Sequence, residues 1–405
     1  MNLLIVFTLI GVWELCKLGT LAEIVRGASP RPIQDSKWFD NTSDVGWLRI
    51  SDVTEQNGRI YKLEQKLSKA GQEKTRVLRK PHLLLSIAAT VGKPVVNYVN
   101  TGVHDGFLIF LNPLFDREFM FQWLEMFTPK WQKYGQPGSQ LNLNSELVRN
   151  QELRMPSTNE QEKIGMLFQY LDDTITLHQR KLEQLKELKK AYLQVMFPRK
   201  DERVPKLRFA DFEGEWAQRK LGEISTHRSG TAIERYFTED GKYKVISIGS
   251  YGTDSKYVDQ GIRAISNEIT NARVVHKGEL TMVLNDKTSD GAIIGRSLLI
   301  ESEEEYVINQ RTEIISPKDD FNVNFAYTTL NNTFRQKVKK IVQGGTQIYV
   351  NYPAVKNLML DFPSYKEQTK IGTFFKQFDD TITLHQNKLD QLKTLKKTYL
   401  QNMFI

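Results

Sequence analysis

Apolar residues recur at three- and four-residue steps through two long stretches of this chain. In the first stretch they are Leu171, Ile175, His178, Leu182, Leu185, Leu188, Tyr192 and Met196, counting the histidine with the seam. In the second they are Phe378, Ile382, His385, Leu389, Leu392, Leu395, Tyr399 and Met403. Lysines and glutamates fill the remaining faces. That spacing predicts two amphipathic helices with coiled-coil-like seams. At 1.5 Å per residue, each would span on the order of 55 Å. Pro156-Ser157 and Pro363-Ser364 stand where such helices would start, and Ser suits the cap position.

Outside the helices the pattern changes to short apolar runs bounded by turn formers. His82 to Val91, Lys242 to Ile248, Gly278 to Leu284 and Tyr306 to Asn309 predict buried strands. Phe119 to Phe127 and Phe325 to Leu330 predict helices, and Asn285 to Gly291 a loop. The fold class is therefore mixed α/β (α+β): two globules in tandem, separated by the two long helices.

The two helical stretches are copies of one another. Gln161 to Phe197 returns as Gln368 to Phe404, with 26 of 37 positions identical and a constant offset of 207 residues. Solenoid repeats recur every 20 to 50 residues, so this period marks one large module used twice. The duplication extends outward. Trp13…Leu18-Gly19 matches Trp216…Leu221-Gly222, and Gly138-Ser-Gln140 matches Gly345-Thr-Gln347. The bodies in between are unlike. The resulting division is 1–155 first globule, 156–198 central helix, 199–215 linker, 216–362 second globule and 363–405 C-terminal helix. Nearly identical helix surfaces are expected to pair with one another as an antiparallel coiled coil about a pseudo-two-fold axis. The helix lysines, Lys181, Lys186, Lys189 and Lys190 with Lys388, Lys393, Lys396 and Lys397, are expected on a solvated face.

Composition narrows the classes. The net charge of +8 favours a polyanionic partner. With Cys16 alone there is no intramolecular disulfide and no Cys/His metal cluster, which implies a reducing, cytoplasmic location. The apolar run Leu3 to Ile10 is too short to span a membrane, which needs about 20 residues. It lacks the basic flank of a signal peptide and reads as an altered or truncated start. No membrane partner is expected.

Candidate chemistry is sparse. There is no Walker A sequence and no Gly-x-Gly-x-x-Gly. Asn112-Pro-Leu-Phe115 lacks the second proline of an adenine methyltransferase loop and reads as a turn. Asp52, Glu64 and Lys66 imitate a nuclease spacing that chance supplies readily in so charged a chain. His178 and His385 fit an interfacial role better than a ligand or base. The chain is expected to have no catalytic residues and to bind no metal or cofactor itself.

The duplicated order of motifs resembles the specificity subunit of type I restriction-modification systems. The residues that carry the resemblance are the Trp…Leu-Gly starts, Gly27-x-Ser-Pro30, the Gly-[Ser/Thr]-Gln loops and the Pro-Ser…Glu-Gln-x-Lys-Ile-Gly boxes. Asp-Asp-Thr-Ile-Thr-Leu-His-Gln, repeated in both helices, completes the set. The resemblance implies that each globule is a target recognition domain reading one half of a split duplex DNA sequence. It implies a helix pair that spaces the halves and docks the modification subunits, two of them, which bind S-adenosylmethionine. It also implies restriction subunits that use ATP and Mg2+. The competing reading is a coiled-coil adaptor joining two protein-binding domains.

Under that resemblance, the cationic candidates for DNA contact in the first globule are Arg26, Arg31, Lys37, Arg49, Arg76, Arg79, Lys80, Lys93, Lys130 and Lys133. Gln140 joins them from its Gly-flanked loop. Those of the second are Arg228, Arg235, Lys256, Arg263, Arg273, Lys287 and Arg296, with Gln347. Arginine pairs with guanine and Asn or Gln with adenine. Gln140 and Gln347, shared by both copies, are expected to brace a turn or contact phosphate rather than distinguish half-sites.

Overall fold

The computed structural model describes residues 13–134 and 143–404. The apolar run Leu3 to Ile10 and Gln140 lie outside the described residues. The chain forms two compact units, residues 1–179 with 387–405, and residues 180–386. The boundary cuts both long helices, Thr158–Val195 and Tyr365–Met403. Each unit thus holds one globule, the first half of its own helix and the last part of the other.

In the first unit a five-stranded sheet has Leu83–Ser86 at its centre, flanked by Phe107–Leu111 and Pro94–Asn97. These strands are buried along their length, as a sheet covered on both faces requires. A three-stranded sheet of Gly46–Leu48, Thr101–Val103 and Arg76–Leu78 packs nearby. In the second unit two four-stranded sheets form the body. One is centred on Thr312–Pro317 and Leu280–Val283, the other on Tyr243–Ile246 and Tyr306–Ile308. The predicted strand from His82 ends at Ser86, because the chain turns at Ala89, which sits at positive φ. The predicted loop from Asn285 begins as a strand, Asn285–Asp286, paired with Ile348–Tyr349.

Both copies are closed by the same joint. The lead-in strand Glu14–Lys17 pairs antiparallel with Glu152–Met155, the last strand before the central helix. Ala217–Lys220 pairs with Met359–Phe362 in the same way. The Glu-Gln box then ties helix to globule. Gln161 accepts from Asp116 N–H (2.9 Å) and donates to Pro156 O (2.9 Å). Gln368 accepts from Asn322 N–H (2.9 Å) and donates to Pro363 O (3.0 Å). Asp116 and Asn322 are themselves the caps of the globule helices Arg117–Trp131 and Val323–Asn331. The glycine of Lys-Ile-Gly lets the long helix lie against that cap. A β-carbon on Gly372 would stand 2.6 Å from Phe325 N and 2.9 Å from Asn322 Oδ1, and one on Gly165 would stand 2.7 Å from Asp116 Oδ1.

The helices pair antiparallel within each unit. In the first, Phe168 stacks on Phe404 (5.8 Å) and Lys396 reaches Asp172 (2.7 Å). In the second, Tyr192 meets Phe374 (5.1 Å) and Lys189 reaches Asp379 (2.5 Å). The expected seam residues Leu171, Ile175, Leu182, Ile382, Leu389 and Leu392 are buried. Leu185, Tyr192, Phe378 and Tyr399, with His178 and His385, are half-buried. Two expectations are corrected. Leu188 is 46% exposed and lies off the seam. The position one step on belongs to Lys189, and in the other copy to Lys396, with side chains only 24% and 14% exposed. The strict four-three alternation of a heptad selects 189 and 396, where hydrophobicity alone had selected 188. These two lysines are interior ion-pair partners and not part of a solvated face.

Gly372→Ala is expected to cost about 1–3 kcal/mol by forcing the helix off the cap. Gly222→Ala, whose new β-carbon would meet nothing nearer than 3.4 Å, is expected to change little. Urea unfolding of the two variants checks the contrast. Lys396→Ala leaves Asp172 and Glu125 without their shared cation. Because Asp172 keeps Arg59 and Glu125 is partly solvated, it is expected to cost about 1–3 kcal/mol, against under about 0.5 kcal/mol for Lys393→Ala at an exposed position.

Candidate nucleic-acid interface

Most of the candidate cations have work to do inside the fold. Arg49 caps and braces the helix Ile50–Glu55. Asp52 accepts its backbone N–H (2.8 Å) and its guanidinium (3.0 and 3.3 Å). Asp52 is thereby buried and occupied, so the nuclease-like spacing with Glu64 and Lys66 assembles no open carboxylate pair. Arg296 bonds Ala292 O and Ser255 Oγ (both 2.9 Å), and desolvation holds its pKa below the usual arginine range. Lys256 donates to Thr383 Oγ1 (2.7 Å), holding the second globule to its own helix. Arg228 pairs with Glu279 (2.6 Å), Arg79 with Asp44 (3.3 Å), and Lys37 with Asp35 (2.8 Å) and the Trp38 ring. Arg273 bonds Thr231 Oγ1 (3.3 Å). Arg49, Lys256 and Arg296 are thus engaged by groups of the protein itself.

The first globule gathers three of the candidates. Arg26 Nε donates to Asp105 O (2.5 Å), Arg31 pairs with Asp105 Oδ2 (3.0 Å), and Arg76 Nε donates to Arg26 O (2.7 Å). All three residues are exposed, and of them only Arg31 bonds the carboxylate, while Arg26 and Arg76 bond main-chain carbonyls and keep their charge unpaired by a direct contact. Burial would raise the Asp105 carboxyl. The Ser29 hydroxyl, His104, Arg31 and Arg26 together outweigh it and hold the group below the usual carboxylate range. Desolvation lowers the neighbouring His104, whose Nδ1 accepts from Gly106 N–H (2.8 Å). That bond requires an unprotonated Nδ1.

Several candidates make no ion pair among the described residues. In the first globule they are Lys80, Lys93, Lys130 and Lys133. Lys93 is half-buried and the others are exposed. In the second they are Arg235, which lies over the Tyr236 ring, with Arg263 and Lys287. Gln347 is exposed near the tip of a hairpin formed by Gln343–Gly344 and Ile348–Tyr349. That hairpin was legible in the sequence only as a Gly-Thr-Gln signature. Its exposed neighbours Gln343 and Tyr349 carry no charge and went unremarked.

Two unlike α/β globules, each fixed by the same joint to its long helix, define a duplicated scaffold. The type I restriction modification DNA specificity domain matches residues 11–187 and again 213–394. The chain belongs to the type I restriction-modification DNA specificity family. It is 22% identical over 266 residues to the type I restriction enzyme MjaVIII specificity subunit of Methanocaldococcus jannaschii, an alignment spanning 63% of this chain and 62% of that protein. The fold is similar to the type I restriction-modification S subunit from M. genitalium. That match has a TM-score of 0.67 and 14% identity, over 98% of both chains. It is also similar to a chain in a structure of type I R-M complex assembly and conformational transition. There the TM-score is 0.53 with 15% identity, over 98% of this chain and 99% of that one. No helix among the described residues is long and apolar enough to cross a membrane.

Because the folded pKa of His104 is depressed, the unfolded chain binds its proton first as pH falls. Stability is therefore expected to decline below about pH 6.5, and the decline is expected to shrink in His104→Gln. Urea midpoints at pH 7.5 and 5.5 check the sign.

Proposed function

We propose that this chain is the address-reading subunit of a type I restriction-modification complex. Each globule reads one half of a bipartite, asymmetric duplex DNA sequence. The observation that supports this best is the duplication itself: two family-matching segments share a joint and a helix while their bodies differ. A reader of two unlike half-sites needs this arrangement, and a symmetric site would need only one kind of body. On this reading the chain performs no chemistry. Methylation of adenine in a duplex requires the base to be flipped into an enzyme pocket, which falls to the modification subunits, two of them, with S-adenosylmethionine. Restriction subunits supply ATP- and Mg2+-dependent cleavage. The complex acts in the cytoplasm, where its DNA lies.

Affinity on this reading comes from phosphate contacts and identity from base edges. The arginines around Asp105 fit the first role, since they are exposed, clustered and in excess of their counter-charge.

The complex reconstituted with its modification subunits is expected to methylate one split adenine motif, read by single-molecule methylation mapping. Exchange of residues 217–340 for those of a relative is expected to change one half of that motif and leave the other. A change in both halves would overturn the one-globule, one-half assignment. Alanine at Arg26, Arg31 and Arg76 together is expected to flatten the dependence of log affinity on log salt by about one per lost phosphate contact.

A further inference from the structure

The hairpin at Gln343–Tyr349 is one part of a three-stranded ribbon completed by Asn285–Asp286. Tyr349 is the direct cross-strand partner of both Gln343 and Asn285. Direct partners share a face of a sheet, so these three side chains form one row. Ile348, partner of Gly344 and Asp286, faces the other way and is buried in the core of the second unit. The outward row is therefore an amide, a phenol and an amide, with Gln343 and Tyr349 exposed and Asn285 half-buried.

The ribbon is held stiffly. Val350 N–H donates to Leu284 O (2.9 Å). The buried Asp286 carboxylate accepts from the backbone of Thr288 (3.1 Å), Ile293 (2.7 Å) and Ile294 (3.3 Å). Gly344, at φ 100°, closes the hairpin where a β-carbon would stand 2.2 Å from Gln347 O. Cations flank it. Lys287 is exposed beside Asp286, Lys339 Nζ donates to Asp290 O (3.2 Å), and Lys340 is exposed three residues before Gln343. Asp290, an exposed acid of the same loop, is engaged by the Thr288 hydroxyl and Ala292 N–H. A narrow β-ribbon enters the major groove, where amides read adenine in bidentate fashion.

The duplication separates shared from unlike positions. At the offset of 207, Gln343 and Gln347 recur as Gln136 and Gln140, and Lys340 as Lys133, whereas Tyr349 is replaced by Asn142. Shared side chains serve contacts common to both half-sites, and discrimination must rest on unlike ones. We propose that this ribbon is the base-reading element of the second globule. Tyr349 and Asn285 discriminate bases, while Gln343 and Gln347 make contacts common to the two halves. This inference rests on the DNA-reading function proposed above.

The test uses the full chain with its modification subunits on a DNA library randomised in both half-sites, read by methylation. Tyr349→Asn and Asn285→Ala are expected to shift base preference by roughly 5- to 100-fold at one or two positions of one half-site, leaving the other half unchanged. Gln347→Ala is expected to lower methylation of all substrates without changing the order of preference. Unchanged preference in both discriminating variants, with wild type still selecting a split sequence, would overturn the ribbon assignment and leave the DNA-reading function standing. If wild type selects no sequence, both fail. Should Tyr349→Asn be inactive, Asn285→Ala decides on the same readout.

Discussion

Everything in each unit hangs from one buried amide. Gln161, and Gln368 in the second copy, holds at once the carbonyl of the proline before the long helix and the backbone N–H of the residue that caps the globule's own helix. Both partners are main-chain groups at places where the chain changes direction, and both would be costly to leave unsatisfied in the interior. The glycine four residues on removes the side chain that would hold the two helices apart. A rigid joint of this kind transfers the orientation of a helix to the body that it carries. That is the property a reader needs when unlike bodies are mounted on like supports.

The seam adds a second constraint. A lysine in a heptad core position destabilises the helix pair unless its charge is met, and so it specifies which register is allowed. Lys189 meets Asp379, and Lys396 meets Asp172, the same pairing in the two copies at the 207-residue offset. The surroundings then diverge. In the first unit Asp172 also serves Arg59, which is anchored by Glu118. In the second, counting from the equivalent helix caps Asp116 and Asn322, Asn324, Thr328 and Asn331 stand where the first has Glu118, Gln122 and Glu125, and Asn331 bonds neutral groups of Ser255 and Ser297. One joint therefore tolerates different bonding at these positions, ionic in the first body and neutral in the second, where the ion pair to the helix is instead Lys376 with Glu301.

Positive charge alone does not separate cations engaged within the protein from those left at its surface. Arg49, Lys256 and Arg296 satisfy carboxylate, hydroxyl or carbonyl groups of the protein itself. Left at the surface are the arginines near Asp105 and cations without an ion pair, such as Lys80 and Lys130, in the first globule, and in the second Arg235, Lys287 and a polar ribbon whose Gln343, Gln347 and Tyr349 are uncharged. Phosphate binding tolerates any mobile cation, but base reading needs donors and acceptors fixed in place.

The sequence by itself determined the duplication, the two long helices, the class of fold and the family. These follow from periodicity and from identity at a constant offset, which are properties of the chain in order. It placed Leu171, Ile175, Leu182, Ile382 and Leu389 in the seam correctly, because apolar spacing reports burial directly. It misplaced Leu188, Lys189 and Lys396, because a buried charge is acceptable only beside its counter-charge, and Asp379 and Asp172 lie about 190 and 220 residues away along the chain. For the same reason only the tertiary structure could separate spent arginines from free ones, or set Gln343, Tyr349 and Asn285 in one row. Gln343 and Tyr349 meet across a tight hairpin, but the pairing that adds Asn285 to their row spans more than 50 residues, and no local pattern encodes it.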